Sequence, residues 1–213
     1  MSDPHQHDHD DHEHPHSPVS DGGEVGEYEI LTMAVRELLI EKGVIAADEV
    51  RQAIEKLESP GLHLGARIVA RAWTDPAFKA RLLADGKIAA SELGIAVGEA
   101  QLIVVENTPD LHNLVVCTLC SCYPRSVLGQ PPAWYISKEY RARAVREPRQ
   151  VIGELGWTVP DGVELRVHDS NADMRYLVLP MRPEGTGGFD EERLQAFVTR
   201  DSLIGVGPAR LPE

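Results

Sequence analysis

Apolar residues along the first third of the chain recur at helical spacing. From Tyr28 onward Leu31, Ala34, Leu38 and Leu39 share one face, and Gly43 stands where a helix would close in a left-handed turn. A second helix is predicted over 46–58, with Val50, Ile54 and Leu57 on its stripe and Pro60-Gly61 stopping it. His63 to Trp73 reads as a third. Asp75-Pro76 is an N-cap followed by proline at the first helical position, leading Phe78, Leu82 and Leu83 to a close at Gly86. Ile88 to Leu93 adds a short helix. This much helix with little aromatic mass suits either an arm that buries its stripe on a partner or a self-contained helical subdomain.

The pattern then changes. Leu102-Ile103-Val104-Val105 is a strand candidate, Asn107-Thr108-Pro109-Asp110 a turn, and Leu114-Val115-Val116 leads into a cysteine cluster. Pro124, Gly129, Pro131 and Pro132 predict irregular chain after it. Residues 134–155 return to helix, interrupted near Pro148; Glu164–His168 and Tyr176–Leu179 read as strands. Asp190 caps a last helix with Leu194, Phe197 and Val198 on one face. The expected class is α+β: a tail over 1–27, a helical N-terminal arm over 28–95, and a mixed metal-centre domain over 96–213, with sheet layers flanked by helices.

Charge and composition narrow the function. The net charge is −13, but residues 1–27 carry eight acidic residues and no Lys or Arg, leaving −5 for the rest. Nothing basic enough to bind nucleic acid is present. No apolar run is long enough to span a bilayer and no signal region opens the chain, so a cytoplasmic location is expected. Residues 4–16 hold six of the nine histidines among aspartates. Such a tract is either a solvated tail or a trap for divalent cobalt, nickel or zinc.

All three cysteines fall within six residues, Cys117-Thr118-Leu119-Cys120-Ser121-Cys122. An odd count so close together is no disulfide framework; it is a metal or redox cluster. Cys120-Ser121-Cys122 can fold around one ion, offering two sulfurs and the backbone nitrogens of Ser121 and Cys122. Deprotonated amides are costly ligands that suit only a highly charged ion of six-coordinate or square geometry. With Cys117 from one side, a sixth position stays open for a substrate or water. Two other readings compete: a structural zinc site completed by His112, and a redox C-x-x-C module, which lacks the expected helix start because Pro124 follows.

Cys-Thr-Leu-Cys-Ser-Cys after Val-Val resembles the metal claw of the nitrile hydratase α subunit. So do Leu-Gly-Gln-Pro-Pro-Ala-Trp-Tyr at 128–135, Tyr-Arg-Ala-Arg-Ala-Val-Arg-Glu-Pro-Arg at 140–149, Met-Arg-Tyr-Leu-Val-Leu-Pro at 174–180, His-Leu-Gly-Ala-Arg at 63–67 and Trp-Thr-Asp-Pro at 73–76. The likeness runs from about Tyr28 to the C-terminus. It implies a non-corrin cobalt(III) centre in preference to iron(III), because Thr118 is the residue of cobalt-type members. It further implies Cys117, Cys120, Ser121 and Cys122 as metal ligands, Cys120 as the sulfinate and Cys122 as the sulfenate. By the same resemblance, a nitrile bound at the open position is hydrated to an amide, with Cys122 and Ser121 as the catalytic residues. The partners implied are a β subunit and an activator that inserts the metal.

Thiocyanate hydrolase, whose γ subunit has the same kind of claw, is the alternative within the superfamily; a non-catalytic zinc-binding module is the alternative outside it. Tyr123 and Arg125 are expected to shape the substrate pocket, although many relatives have tryptophan in place of Arg125. Arg141, Arg143, Arg146 and Arg149 read as a solvated or ion-paired helix face, and His63, His112 and His168 as packed histidines. Gln101 is not clearly in register with a glutamine found upstream of the claw in the family.

Overall fold

A computed structural model describes residues 26–58 and 60–211. The histidine-rich tract at 4–16 lies outside the described residues. The chain divides into two compact units, Met1–Arg51 and Gln52–Glu213.

In the first unit α1 covers Glu27–Glu41. Its apolar residues are not buried: Leu31 is 57% and Leu38 48% exposed. Gly43 takes φ +66° just beyond the helix, as its place in the sequence predicts. Helix α2 spans Ala47–Glu58.

Among the described residues, the buried core lies in the second unit. Helix α3 covers Leu62–Thr74 and buries Ala66, Ile68, Val69 and Ala72 on one face. Asp75 caps α4, Pro76–Ala84, by accepting from the Ala77 and Phe78 N–H groups at 2.9 Å. Gly86 does not close this helix. Asp85 ends α4 and caps α5, Gly86–Glu92, through the Ile88 N–H, and Gly86 opens α5. A Cβ on Gly86 would lie 2.5 Å from the Leu102 carbonyl oxygen, so only glycine lets α5 approach the sheet this closely.

Among the described residues, four strands form two parallel pairs. Strand β1, Gln101–Glu106, pairs with β4, Met174–Leu179, with Leu102 opposite Arg175. Strand β2, Leu111–Val116, pairs with β3, Glu164–Asp169, with Val116 opposite Asp169. The end of β2 does not alternate between buried and exposed positions. Leu114, Val115 and Val116 are all fully buried, as a strand covered on both faces requires. Each such side chain contributes about 1.5–3 kcal/mol by leaving water.

The helices after β2 are shorter than predicted. The irregular stretch contains one helical turn, α6, Arg125–Leu128. The 134–155 helix is three pieces: α7, Ala133–Ile136; α8, Lys138–Arg143; and α9, Pro148–Glu154. Ser137 breaks the first junction by capping α8 through the Tyr140 N–H, and Pro148 begins the last piece. The final helix predicted from Asp190 is α10, Glu191–Gln195, which ends before Phe197. A further helix, α11, Arg200–Ile204, follows a capping box made by Thr199 and Ser202.

His112 lies in β2, buried, between Asn107 and the chain after α11. Its Nε2–H donates to the Gly205 carbonyl at 2.7 Å, and its Nδ1 accepts from Asn107 Nδ2 at 3.1 Å. Burial pushes its pKa down, so the ring is neutral in the fold. Below the ordinary histidine value of about 6.5 the unfolded chain takes up a proton that the folded chain refuses. Stability is therefore whole above that pH and is lost as pH falls, by up to about 1.4 kcal/mol per pH unit for this ring. Thermal unfolding at pH 7.5 and 5.5 should show that loss, with a flatter dependence in His112→Gln.

Candidate metal centre

Strand β2 delivers Cys117 directly from the core. The loop that follows, 117–124, brings the three thiols together: Cys117 Sγ and Cys120 Sγ are 3.4 Å apart, and Cys120 Sγ and Cys122 Sγ 3.0 Å. All three sulfurs lie within 4.8 Å of one another, and among the described residues no other His, Cys, Asp or Glu belongs to the cluster. Cys117 and Cys122 are buried, whereas Cys120 is exposed.

The electrostatics separate the thiols. Hydrogen bonds from Cys122 and then Cys117 hold the Cys120 thiol below its ordinary value, helped by the backbone N–H groups of Cys122 and Ser121. Burial, followed by the interaction with Cys120, pushes Cys122 up to about 12. The Cys120 sulfur thus stands between the other two, and the Cys120 backbone N–H donates to Cys117 Sγ at 3.3 Å. Three sulfurs on one short loop are a donor set for a single thiophilic metal ion.

Remote groups fix the loop. The Asp169 carboxylate, at the end of β3, accepts from Thr118 N–H at 2.9 Å and from Thr118 Oγ1 at 2.6 Å. The parallel register puts it there, since Asp169 is opposite Val116 and the Ser170 N–H bonds the Val116 carbonyl. From α8, Arg141 donates to the Cys117 carbonyl at 3.2 Å and the Thr118 carbonyl at 3.0 Å. The Tyr135 and Tyr140 hydroxyls donate to the carbonyls of Cys122 and Val115. These two tyrosines and Tyr123 are buried and packed ring against ring.

A pocket of about 330 Å³ opens over the claw, lined by Glu99, Cys120, Ser121, Cys122, Tyr123, Arg125 and Arg175. Tyr123 and Arg125 therefore border it, as expected from their place directly after the claw. Glu99, Arg141, Asp169 and Arg175 do not follow from motif reading. The words 140–149 and 174–180 contain two of them, but the sequence gives no sign of which arginine reaches the claw.

Among the remaining candidates only Arg141 departs from expectation. His112 is not a fourth ligand, because both ring nitrogens are engaged elsewhere. Arg141 is not a solvated charge, although the rest of its run is ordinary: Arg143 pairs with Glu147 and Glu154, Arg146 bonds the Ala142 carbonyl, and Arg149 bonds carbonyls at Val159, Pro160 and Val163. Gln101 lines a different cavity, beside α5. His168 is a packed residue, bonded to Asn113 Oδ1 at 2.8 Å.

Comparison with known proteins agrees with this geometry. The family model for the nitrile hydratase alpha chain matches residues 26–207. The cobalt-containing nitrile hydratase subunit alpha of Pseudonocardia thermophila is 51% identical over 180 residues, covering 83% of this chain and 88% of that one. The thiocyanate hydrolase subunit gamma of Thiobacillus thioparus is 47% identical over 195 residues, covering 86% and 80%. Among solved structures, a double mutant of the Fe-type nitrile hydratase from Comamonas testosteroni Ni1 superposes with a TM-score of 0.80 at 41% identity, covering 87% of this chain and 91% of that one. With nearly all of the described chain matched and three cysteines gathered as a claw, the protein belongs to the nitrile hydratase alpha-chain family.

Proposed function

We propose that this chain is the α subunit of a cobalt-type nitrile hydratase. The observation that carries the reading is the cluster of three sulfurs on one short loop. Cys117, Cys120 and Cys122 would hold the ion through sulfur, and Ser121 and Cys122 through their main-chain nitrogens. Cobalt(III), when bound, supplies a Lewis acid that draws electron density from a nitrile and stays trivalent throughout. Iron(III) is the lesser alternative, disfavoured by Thr118. Cys120 is read as the sulfinate and Cys122 as the sulfenate, whose oxygen assists the attacking water. The Ser121 hydroxyl is set to hydrogen-bond the exchangeable ligand.

Two surfaces support a β subunit. Leu119, at the tip of the claw loop, is 83% exposed, and α1 carries Tyr28, Ile30, Leu31 and Leu38 uncovered. Apolar side chains in such number call for a cover. An activator that inserts cobalt and directs thiol oxidation completes the set of partners, because an exposed thiol at Cys120 is open to overoxidation. Among the described residues no helix is long and apolar enough to cross a membrane, and the cytoplasm is the compartment we assign.

A second reading has its own observation. Arg125 and Arg175 both line the claw pocket, and cationic walls favour an anionic substrate such as thiocyanate. The complex of this chain with its β subunit, offered acrylonitrile and thiocyanate separately, decides between them. Acrylamide formation with little thiocyanate turnover is expected; the reverse preference would assign the chain to the thiocyanate hydrolase branch, and turnover of neither would refute both readings.

A further inference from the structure

Three residues that line the claw pocket each carry a buried polar atom that the chain leaves unpaired: Glu99 Oε2, Tyr123 Oη and Arg175 Nη1. An uncompensated atom of this kind costs about 1–3 kcal/mol, more when charged, so its retention points to something bound between such groups.

Glu99 is not loose. Its Oε1 accepts from the Ser126 N–H at 3.1 Å, while Ser126 Oγ accepts in turn from the Gly98 N–H at 2.9 Å. Its own carbonyl accepts from Lys87 Nζ at 2.7 Å. The reciprocal bonds to Ser126, one residue beyond Arg125, fix the carboxylate against the segment that follows the claw. One oxygen is spent on holding the side chain; the other, buried, has no partner in the chain. Arg175, near the start of β4, lines the same pocket.

A ligand that satisfies the two charged groups must donate a hydrogen to Glu99 and accept one from Arg175, and the Tyr123 hydroxyl can serve it as donor or acceptor. A nitrile has no donor. Water does both, and it is the co-reactant.

We propose that Glu99 is a further catalytic residue, holding the reacting water over the claw and carrying its proton; this rests on the hydration reading above. Glu99 Oε2 takes a proton from the water as the oxygen–carbon bond forms. One π bond of the C≡N group opens, and its electron pair goes to nitrogen. Glu99 returns the proton to that nitrogen, giving the imidic acid, which tautomerises to the amide. Atoms and electrons balance without an oxidant or reductant. The same transfer serves a C≡N group bonded to sulfur.

The variant Glu99→Gln tests this, because the amide keeps an oxygen for the Ser126 N–H but is no base. In the cobalt-loaded complex with the β subunit, kcat should fall about a hundredfold or more with cobalt content and KM nearly unchanged, as loss of a proton-transfer group requires. A kcat within about threefold of wild type overturns the proposal. So does a loss of cobalt, or of β-subunit binding, in step with activity, since Glu99 would then be a packing group of the loop or interface. A wild-type complex inactive on both nitrile and thiocyanate would refute the hydration reading itself, and this proposal with it.

Discussion

Cys122→Ser is expected to abolish nitrile hydration by the complex, by at least about a thousandfold, and to strip most of its cobalt. Cys122 supplies a sulfur and a main-chain nitrogen to the proposed donor set, and it stands 3.0 Å from Cys120. A hydroxyl is a harder, more weakly donating ligand than a thiolate, so a soft-ligand site loses affinity for its ion. A Lewis acid is worth several kcal/mol at the transition state, and each 1.36 kcal/mol is tenfold, which sets the size of the loss at about 10³ or more. Metal analysis alongside acrylonitrile assays checks both halves. The fold should remain, because the neighbours that hold the loop, Tyr135 on the Cys122 carbonyl and Asp169 on Thr118, bond groups that the substitution leaves in place. Full cobalt with full activity in this variant would mean that the sulfur of Cys122 is not a ligand.

The largest effect on stability is expected at Gly205. It follows α11 with φ +87°, and a Cβ there would lie 1.9 Å from the Asn113 carbonyl oxygen and 3.1 Å from Leu114 Cα. The added methyl collides with backbone, which cannot rotate out of the way as a side chain can. Overpacking costs about 1–3 kcal/mol and the left-handed conformation about 1–2 kcal/mol for an L side chain. Gly205→Ala should therefore lose about 3 kcal/mol or more, a fall in Tm of roughly 6–12 °C for a domain this size. Gly187→Ala is the control: nothing lies within 4 Å of its Cβ position, and its change should stay within about 0.5 kcal/mol. Asn113 and Leu114 belong to β2, which runs into Cys117, so the same clash should loosen the claw. Thermal unfolding with a cobalt assay reads both consequences.

What can be read from the sequence is what is local. Three cysteines within six residues need no fold to be seen as a cluster, and Asp75-Pro76 announces the start of α4 through its own cap. Three of the four strands, β1, β3 and β4, are legible from short segments, and Leu114-Val115-Val116 marks the end of β2. Each strand runs at least a residue beyond what is legible, because a parallel ladder continues as long as backbone groups pair.

Pairing itself is not legible. Nothing near Thr118 in sequence announces Asp169, which arrives from 51 residues away because β3 lies beside β2 in parallel register. Arg141 is indistinguishable from Arg143 and Arg146 until the turn of α8 aims it at the Cys117 and Thr118 carbonyls. Glu99 belongs to no motif; its significance lies in one oxygen bonded to Ser126 and one left over. The C-terminal helices depart from expectation for a different reason. Leu194, Phe197 and Val198 have helical spacing, but the chain turns at Ala196 and Thr199 caps a new helix, so a short capping box outweighs the apolar stripe.

These remote groups hold the chemistry that the claw alone suggests. A donor set containing main-chain nitrogens works only if the peptide planes are fixed before the ion arrives, since a loop free to relax would return to protonated amides. Asp169, Arg141 and Tyr135 each bond the backbone or side chain of the claw from a separate element, and each adds to that fixation. Cobalt K-edge absorption on the purified αβ complex tests the central claim most directly. Three sulfur and two nitrogen scatterers around one trivalent cobalt are predicted; a zinc edge with four side-chain ligands, or cobalt without nitrogen in its first shell, would contradict it.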